Sequence, residues 1–352
     1  MSPKRRRIVL LCSMLSILTA LFASVVVADS TSREQRIRPI RERSVSAVTA
    51  QASLTNPLQG WVVYRYHNTP AAYEAAQLHA QGKYHAATLM EQIANEPIAT
   101  WLTRYSLHVG QEVKQLTEAA SRAGSAALIV TYDIPGQGCA AGSASRGAPT
   151  GSAYLRWIRQ VANGIGTRRT IVILEPDALS FAADGCPIRL SHLRRAVELL
   201  AHAPGARVYI DAANPSWTHV KPLSAIIEAL REAGIDKATG FSVNVSNFRT
   251  NAESTTYGLD ISRALGGAHF VIDTSRNGNG PDTNPADAPL WCNPPGRALG
   301  TKPTTTTHVP WLDAYLWIKP PGASDEVCRP GEPPGGRWWQ HYALELALNA
   351  ET

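Results

Sequence analysis

Two carboxylates separated by a proline, Glu175-Pro176-Asp177, follow directly on four apolar residues, Ile171-Val172-Ile173-Leu174. The apolar run reads as a buried strand, and the C-terminal end of such a strand is where a parallel α/β fold gathers its chemistry. Carboxyl groups on so rigid a mount suit acid–base work at a sugar, where one protonates a leaving oxygen and a second attacks or activates water. A helix start is the structural alternative, with Pro176 in the first turn and Asp177 near the positive dipole end. Further acids stand at or just beyond other apolar runs: Asp133, Asp211, Asp273 and Asp325. Tyr132, Trp217, Trp291 and Trp317 lie near the same ends, and flat rings offer sugar faces an apolar surface, although any single Trp is as readily explained by core packing.

The elements that must position these groups repeat along the chain. Besides 171–174, short apolar runs occupy residues 60–64, 128–132, 207–210, 240–243, 269–272 and 314–318, and the polar residues that follow include Arg65, Asp133, Asp211, Asn244, Asp273 and Lys319. Between the runs come stretches with helical apolar spacing, such as Tyr154, Trp157, Ile158 and Val161, then Leu193, Ala196, Val197 and Leu200. Strand alternating with helix means right-handed parallel crossovers, and hence an α/β fold. Seven units with polar groups at every strand end favour a barrel-like ring over a doubly wound sheet.

The net charge of +6 over 352 residues is confined to one end. Residues 1–43 hold nine Lys/Arg against three Asp/Glu, which leaves 25 against 25 in the rest, so no basic groove for nucleic acid is expected. Lys4, Arg5, Arg6 and Arg7 precede an apolar run to Ala28. Residues 1–28 therefore read as a signal peptide, or as an N-terminal anchor if left uncleaved. Residues 29–52 are polar and Arg-rich, a flexible lead-in, and 53–352 are expected to form a single domain. Export gives the cysteines a meaning. Apart from Cys12 there are four, and the order of the loops favours disulfides Cys139–Cys186 and Cys292–Cys328. No CxxC, HExxH, GxSxG or Walker loop is present, so neither a metal nor another cofactor is called for. Residues 136–142 form a loose GxGxxxG, but the preceding strand is not the chain's first and the spacing is wrong for a dinucleotide turn. Asn244-Val245-Ser246 fits a glycosylation sequon, though at a strand end.

Taken together, these motifs resemble glycoside hydrolase family 6. The resemblance rests on Asn56-Pro57-Leu58, Tyr132-Asp133-Ile134-Pro135 with Cys139, and the 171–180 segment with its Glu-Pro-Asp. It extends through Tyr209-Ile210-Asp211-Ala212 with Trp217, Asn244-Val245-Ser246-Asn247-Phe248, Asp273 with Arg276, Trp291-Cys292-Asn293, and Lys319-Pro320 with Gly322 and Asp325. It implies a distorted parallel seven-stranded (β/α) barrel, TIM-like, with two disulfides. By position, Asp177 matches the general acid of an inverting mechanism, Asp325 the carboxylate proposed as base, Tyr132 a tyrosine that crowds the sugar at the cleavage point, and Asp211 an acid near the centre. Trp217, Trp291 and Lys319 match sugar-binding positions, with Tyr64 and Asn244 as further candidate substrate contacts and Glu175 as support for the loop. The sequence departs from the family where Gln137-Gly138-Cys139 replaces Arg-Asp-Cys, where Ala213-Asn214-Pro215 replaces Gly-His-Ser/Ala, and at Ala323, commonly Glu. The missing carboxylate at Gly138 removes one support for a raised pKa of Asp177, and Asp133 is the nearest acid that could substitute. The expectation is a secreted, monomeric enzyme cleaving β-1,4-glucosidic bonds of cellulose or related β-glucans. Weak activity follows from Gly138, and endo action from an open cleft, since 139–152 is short. The competing reading is a glucan-binding protein with the same groove and impaired chemistry.

Overall fold

The computed structural model describes residues 55–137, 147–219, 221–287 and 289–351. The leader and lead-in expected over 1–52, and Gly138 and Cys139, lie outside these residues. Seven strands pair in parallel and in chain order: β1 Thr100–Thr103, β2 Ala127–Tyr132, β3 Thr170–Leu174, β4 Ala206–Asp211, β5 Gly240–Val243, β6 His269–Asp273 and β7 Leu312–Leu316. Helices α1 Pro70–Ala80 and α2 Tyr84–Ala94 precede the sheet, and α3 Val109–Arg122 joins β1 to β2. Then come α4 Gly151–Ile165, α5 Ala178–Ala183, α6 Leu190–Ala201, α7 Leu223–Glu232 and α8 Asn251–Ala264, with α9 Gln340–Asn349 last. No helix among the described residues is long and apolar enough to cross a membrane.

The sheet curls because alternate residues have two different apolar places to go. Ile171 and Ile173 point inward with Leu128, Val130, Tyr209, Val271, Ala314 and Leu316. Val172 and Leu174 point outward, into a layer with Ile158, Val161, Leu193 and Val197 from the helices. Every residue of β3 is buried, and each large apolar side chain so placed contributes about 1.5–3 kcal/mol. An uninterrupted run such as 171–174 is what a strand covered on both faces requires. The ring is joined at its seam by a single bridge, Ile98 to Trp317, and by the Trp101 indole donating to Ile318 O at 2.8 Å.

Two expectations need correction. The first strand is not 60–64 but Thr100–Thr103, whose Thr-Trp-Leu-Thr sequence carries too little apolar character to stand out. Residues 60–64 make only one bridge, Val63 to Ala126, beside the N-terminal end of β2. There Trp61 lies under the guanidinium groups of Arg169 and Arg207, at 5.6 and 5.4 Å, and helps to floor the barrel. Trp317, grouped above with the aromatics of the strand ends, is only 1% exposed and packs outward against α1, α2 and α9, its indole donating to Thr301 O.

Candidate active site

The strand exits carry unusual backbone. Glu175 and Asp177 after β3, Ala213 after β4, and Asn244 and Ser246 after β5 all have φ between 51° and 68°. Non-glycine residues pay about 1–3 kcal/mol each for such conformations, which persist only where the surroundings fix them. What fixes them is a set of buried carboxylates. Asp211 accepts from the Asp177 N–H at 2.9 Å, the Ala213 N–H at 3.2 Å and the Ser242 hydroxyl at 3.1 Å. Asp273 accepts from the N–H groups of Ser246, Ser275, Ile318 and Lys319, tying together the exits of β5, β6 and β7. Glu175 accepts from Asp133 and Ile134 at 2.9 and 3.0 Å, tying β3 to β2.

Asp177 is partly exposed at this mouth. Burial among the strand ends pushes its pKa up to about 6; the Lys319 ammonium opposes the rise and the charge of Asp325 adds to it. Asp211 beside it is raised as well, by burial and then by the Asp177 charge. Asp325 goes the other way. Burial works against its ionisation, but Arg276 and Lys319 outweigh it and hold the carboxyl below its usual range. Arg276, 0% exposed, makes a two-pronged contact to Asp325 at 3.0 and 2.9 Å and donates to Ser246 O, with Phe248 beneath its guanidinium. The Lys319 ammonium is 3.1 Å from Asp325 and donates to Ser324 O. Asn293 donates its N–H to Asp325 and accepts the Asp325 N–H in return. Two carboxyls at one mouth are thus shifted in opposite directions, one toward holding a proton and one toward staying an anion, which is the division of labour that acid–base hydrolysis needs.

The structure brings Asp177, Asp211, Asp325 and Lys319 into one electrostatic group, and Tyr132 is the last residue of β2. Trp217 is half-buried in the short 3-10 helix after β4, and Trp291 is 50% exposed two residues before Asn293. Cys292 is bonded to Cys328, as expected. Cys186 is also disulfide-bonded, while its expected partner Cys139 lies outside the described residues.

Two sequence-based assignments do not survive. Asn244 is fully buried, and its amide is spent on Arg249 O and N–H and on Asp273 O, leaving nothing for a sugar. Tyr64 donates its N–H to Ala126 O, at the end of the barrel opposite the mouth. Two residues were missed. Trp101, on β1, sets its ring edge-on to Tyr132 at 5.3 Å, and only the unrecognised strand hid it. Arg276 was noted for its motif, but nothing in the sequence pairs it with Asp325 across 49 residues.

The pattern of the glycosyl hydrolases family 6 matches residues 58–350. Endoglucanase A of Cellulomonas fimi is 45% identical over 266 residues, covering 74% of this chain and 56% of the relative, so the chain spans little more than half that relative's length. Endoglucanase 1 of Streptomyces halstedii is 37% identical, over 71% of this chain and 77% of its own. The endoglucanase Cel6 of Mycobacterium tuberculosis, solved with methyl-cellobiosyl-4-deoxy-4-thio-β-D-cellobioside, superposes with a TM-score of 0.78 at 40% identity, over 85% of this chain and 100% of that one. With the strand order, the mouth acids and so long a match in agreement, this chain belongs to the glycosyl hydrolases family 6.

Proposed function

We propose that this chain hydrolyses the β-1,4-glucosidic bonds of cellulose or a related β-glucan with inversion at the anomeric carbon, Asp177 delivering the proton to the leaving oxygen. The observation that carries the reading is the arrangement at the mouth, where a partly exposed Asp177 stands near an Asp325 that Arg276 and Lys319 hold as an ion pair. Asp325, bound by Arg276 and Lys319, is a weak proton acceptor. Its part is to orient the attacking water by hydrogen bonding and to offset positive charge developing on the sugar, with the proton leaving along water. Asp211 fixes the Asp177 turn through its backbone and adds a carboxyl beside the acid. Tyr132 crowds the sugar at the cleavage point, and Trp217, Trp291 and Lys319 bind neighbouring units. The named endoglucanases, and the thio-linked glucan bound in one of them, support a glucan substrate and internal cleavage. The charged, apolar N-terminus and the Cys292–Cys328 bond support secretion.

The test is Asp177→Asn on a soluble β-glucan, with the anomeric form of the first product followed by NMR. Loss of the proton donor should lower kcat by about 10²–10⁴-fold, and wild type should release the α-anomer first. Unchanged turnover would remove Asp177 from the role, and a β-anomer would exclude inversion. Tight glucan binding by wild type without new reducing ends would favour the glucan-binding reading suggested by Gly138.

A further inference from the structure

We propose that Asp133 and Glu175 form a positioning unit for Asp177: two buried carboxyls at the clamp that holds the exit of β2 to the exit of β3. The inference rests on Asp177 being the proton donor. Neither group can touch a glucan, since Asp133 is 3% and Glu175 1% exposed.

Glu175 stands two residues before Asp177, and both are held at positive φ, 51° and 66°. Four hydrogen bonds lace this turn to the segment leaving β2. Glu175 Oε2 takes the N–H groups of Asp133 and Ile134, the Glu175 N–H donates to Thr131 O at 3.0 Å, and Gln137 Nε2 donates to Pro176 O at 3.1 Å. A backbone so placed stays in a sparsely populated conformation only while its neighbours over-determine it. The Glu175 carboxyl is the one side chain of the turn that reaches back to do this.

Asp133 supplies the second carboxyl, because the N–H that Glu175 binds is its own. Its Oδ1 is buried and has no hydrogen-bond partner among the described residues. Two carboxyls buried at one clamp cannot both ionise cheaply. The other titratable or charged groups facing them are the Tyr154 hydroxyl from α4 and the Arg104 guanidinium from the loop after β1. Burial pushes Asp133 up to about 7 against the pull of Arg104. It pushes Glu175 up to about 7 against the two backbone N–H groups, with the Asp133 charge adding to the rise. As these carboxyls lose their protons, negative charge enters the clamp and the turn carrying Asp177 is released.

Glu175→Gln, Asp133→Asn and Glu175→Ala test this by kcat, KM and melting temperature across pH. Gln and Asn keep size and an accepting oxygen, so both variants should match wild type in mild acid. Above about pH 7, log kcat of wild type should fall more steeply than the one proton of Asp177 alone gives, and less steeply in each variant, which has one carboxyl fewer in the clamp. Glu175→Ala should lower kcat by about 10²-fold with KM little changed, and Gln should restore most of it. Identical alkaline slopes in wild type and both amide variants would overturn the proposal, as would an Ala effect confined to KM. If Glu175→Ala does not fold, the amide variants decide alone. If wild type cleaves no β-glucan, the enzymatic reading fails separately, and the pair is still tested by stability. Carboxyls with raised folded pKa values bind protons more tightly when folded, so the melting temperature should fall from the ordinary carboxylate range up to about pH 7 in wild type and less in the amide variants. Superimposable melting profiles would refute the pair.

Discussion

Replacing Arg276 by Met removes a guanidinium that is 0% exposed and leaves its partner, the 6%-exposed Asp325 side chain, inside the protein. Three hydrogen bonds go: two to Asp325 at 3.0 and 2.9 Å, and one to Ser246 O. Asp325 keeps Lys319 at 3.1 Å and the Asn293 N–H at 3.0 Å. Removing one partner of a buried pair costs about 3–5 kcal/mol, and the surviving Lys319 contact places this variant at the lower end. The pH dependence follows with a definite sign. The folded pKa of Asp325 is depressed, so its stabilisation is present above its unfolded value and is lost as pH falls through the folded one. Without Arg276 that folded value rises, because the larger of its two cationic partners is gone. Both the acid loss of stability and the acid limb of kcat/KM then begin at higher pH. Urea unfolding at neutral and mildly acidic pH measures the first, and a glucan-hydrolysis pH profile the second. A loss below about 1 kcal/mol together with an unmoved acid limb would show that Arg276 is a bystander, and that Asp325 owes its charge to Lys319 alone.

Two further outcomes follow from the strand exits. Asn244→Ala gives up three hydrogen bonds at a φ of 68° and should cost about 2–4 kcal/mol of stability while leaving KM unchanged; a raised KM with stability intact would restore Asn244 as a sugar ligand. Cys292→Ser with Cys328→Ser opens a bridge spanning 36 residues and should cost about 4 kcal/mol by loop entropy. Because Asn293 follows Cys292 and binds Asp325, that double variant should also shift the acid limb, and a pure stability loss would mean the bridge is only a staple.

The middle of the barrel was legible because β2 to β6 are covered on both faces, which forces apolar runs, and because α4 and α6 show one apolar stripe each. The seam was not. At β1, Trp101 and Leu102 sit between threonines, so no run betrays the strand. At 60–64, Trp61 and Val63 are apolar because they plug the barrel floor, and a plug and a strand ask for the same residue types. Trp317 is misplaced by the sequence for a related reason. A tryptophan at a strand end faces the mouth or the helices according to its place in the alternation, and with the seam unread that place was unknown.

The strand-end acids also carry structural duties that the sequence does not show. Glu175, Asp211, Asp273 and Asp325 together accept nine backbone N–H groups, from Asp133, Ile134, Asp177, Ala213, Ser246, Ser275, Ile318, Lys319 and Asn293. A parallel barrel ends its strands in turns whose N–H groups have no ladder partner, and an unpaired buried N–H costs about 1–3 kcal/mol. A carboxylate beside such a turn repairs this cost and fixes a left-handed residue in the same act. The acid-rich strand ends of this chain therefore serve first as staples, and Asp177 is distinguished by what it lacks: it is partly exposed at the mouth, as Asp325 is, but unlike Asp325 its side chain ties down no loop among the described residues. Freedom from structural duty, rather than position in a motif, is what supports the proposed role of Asp177 as proton donor.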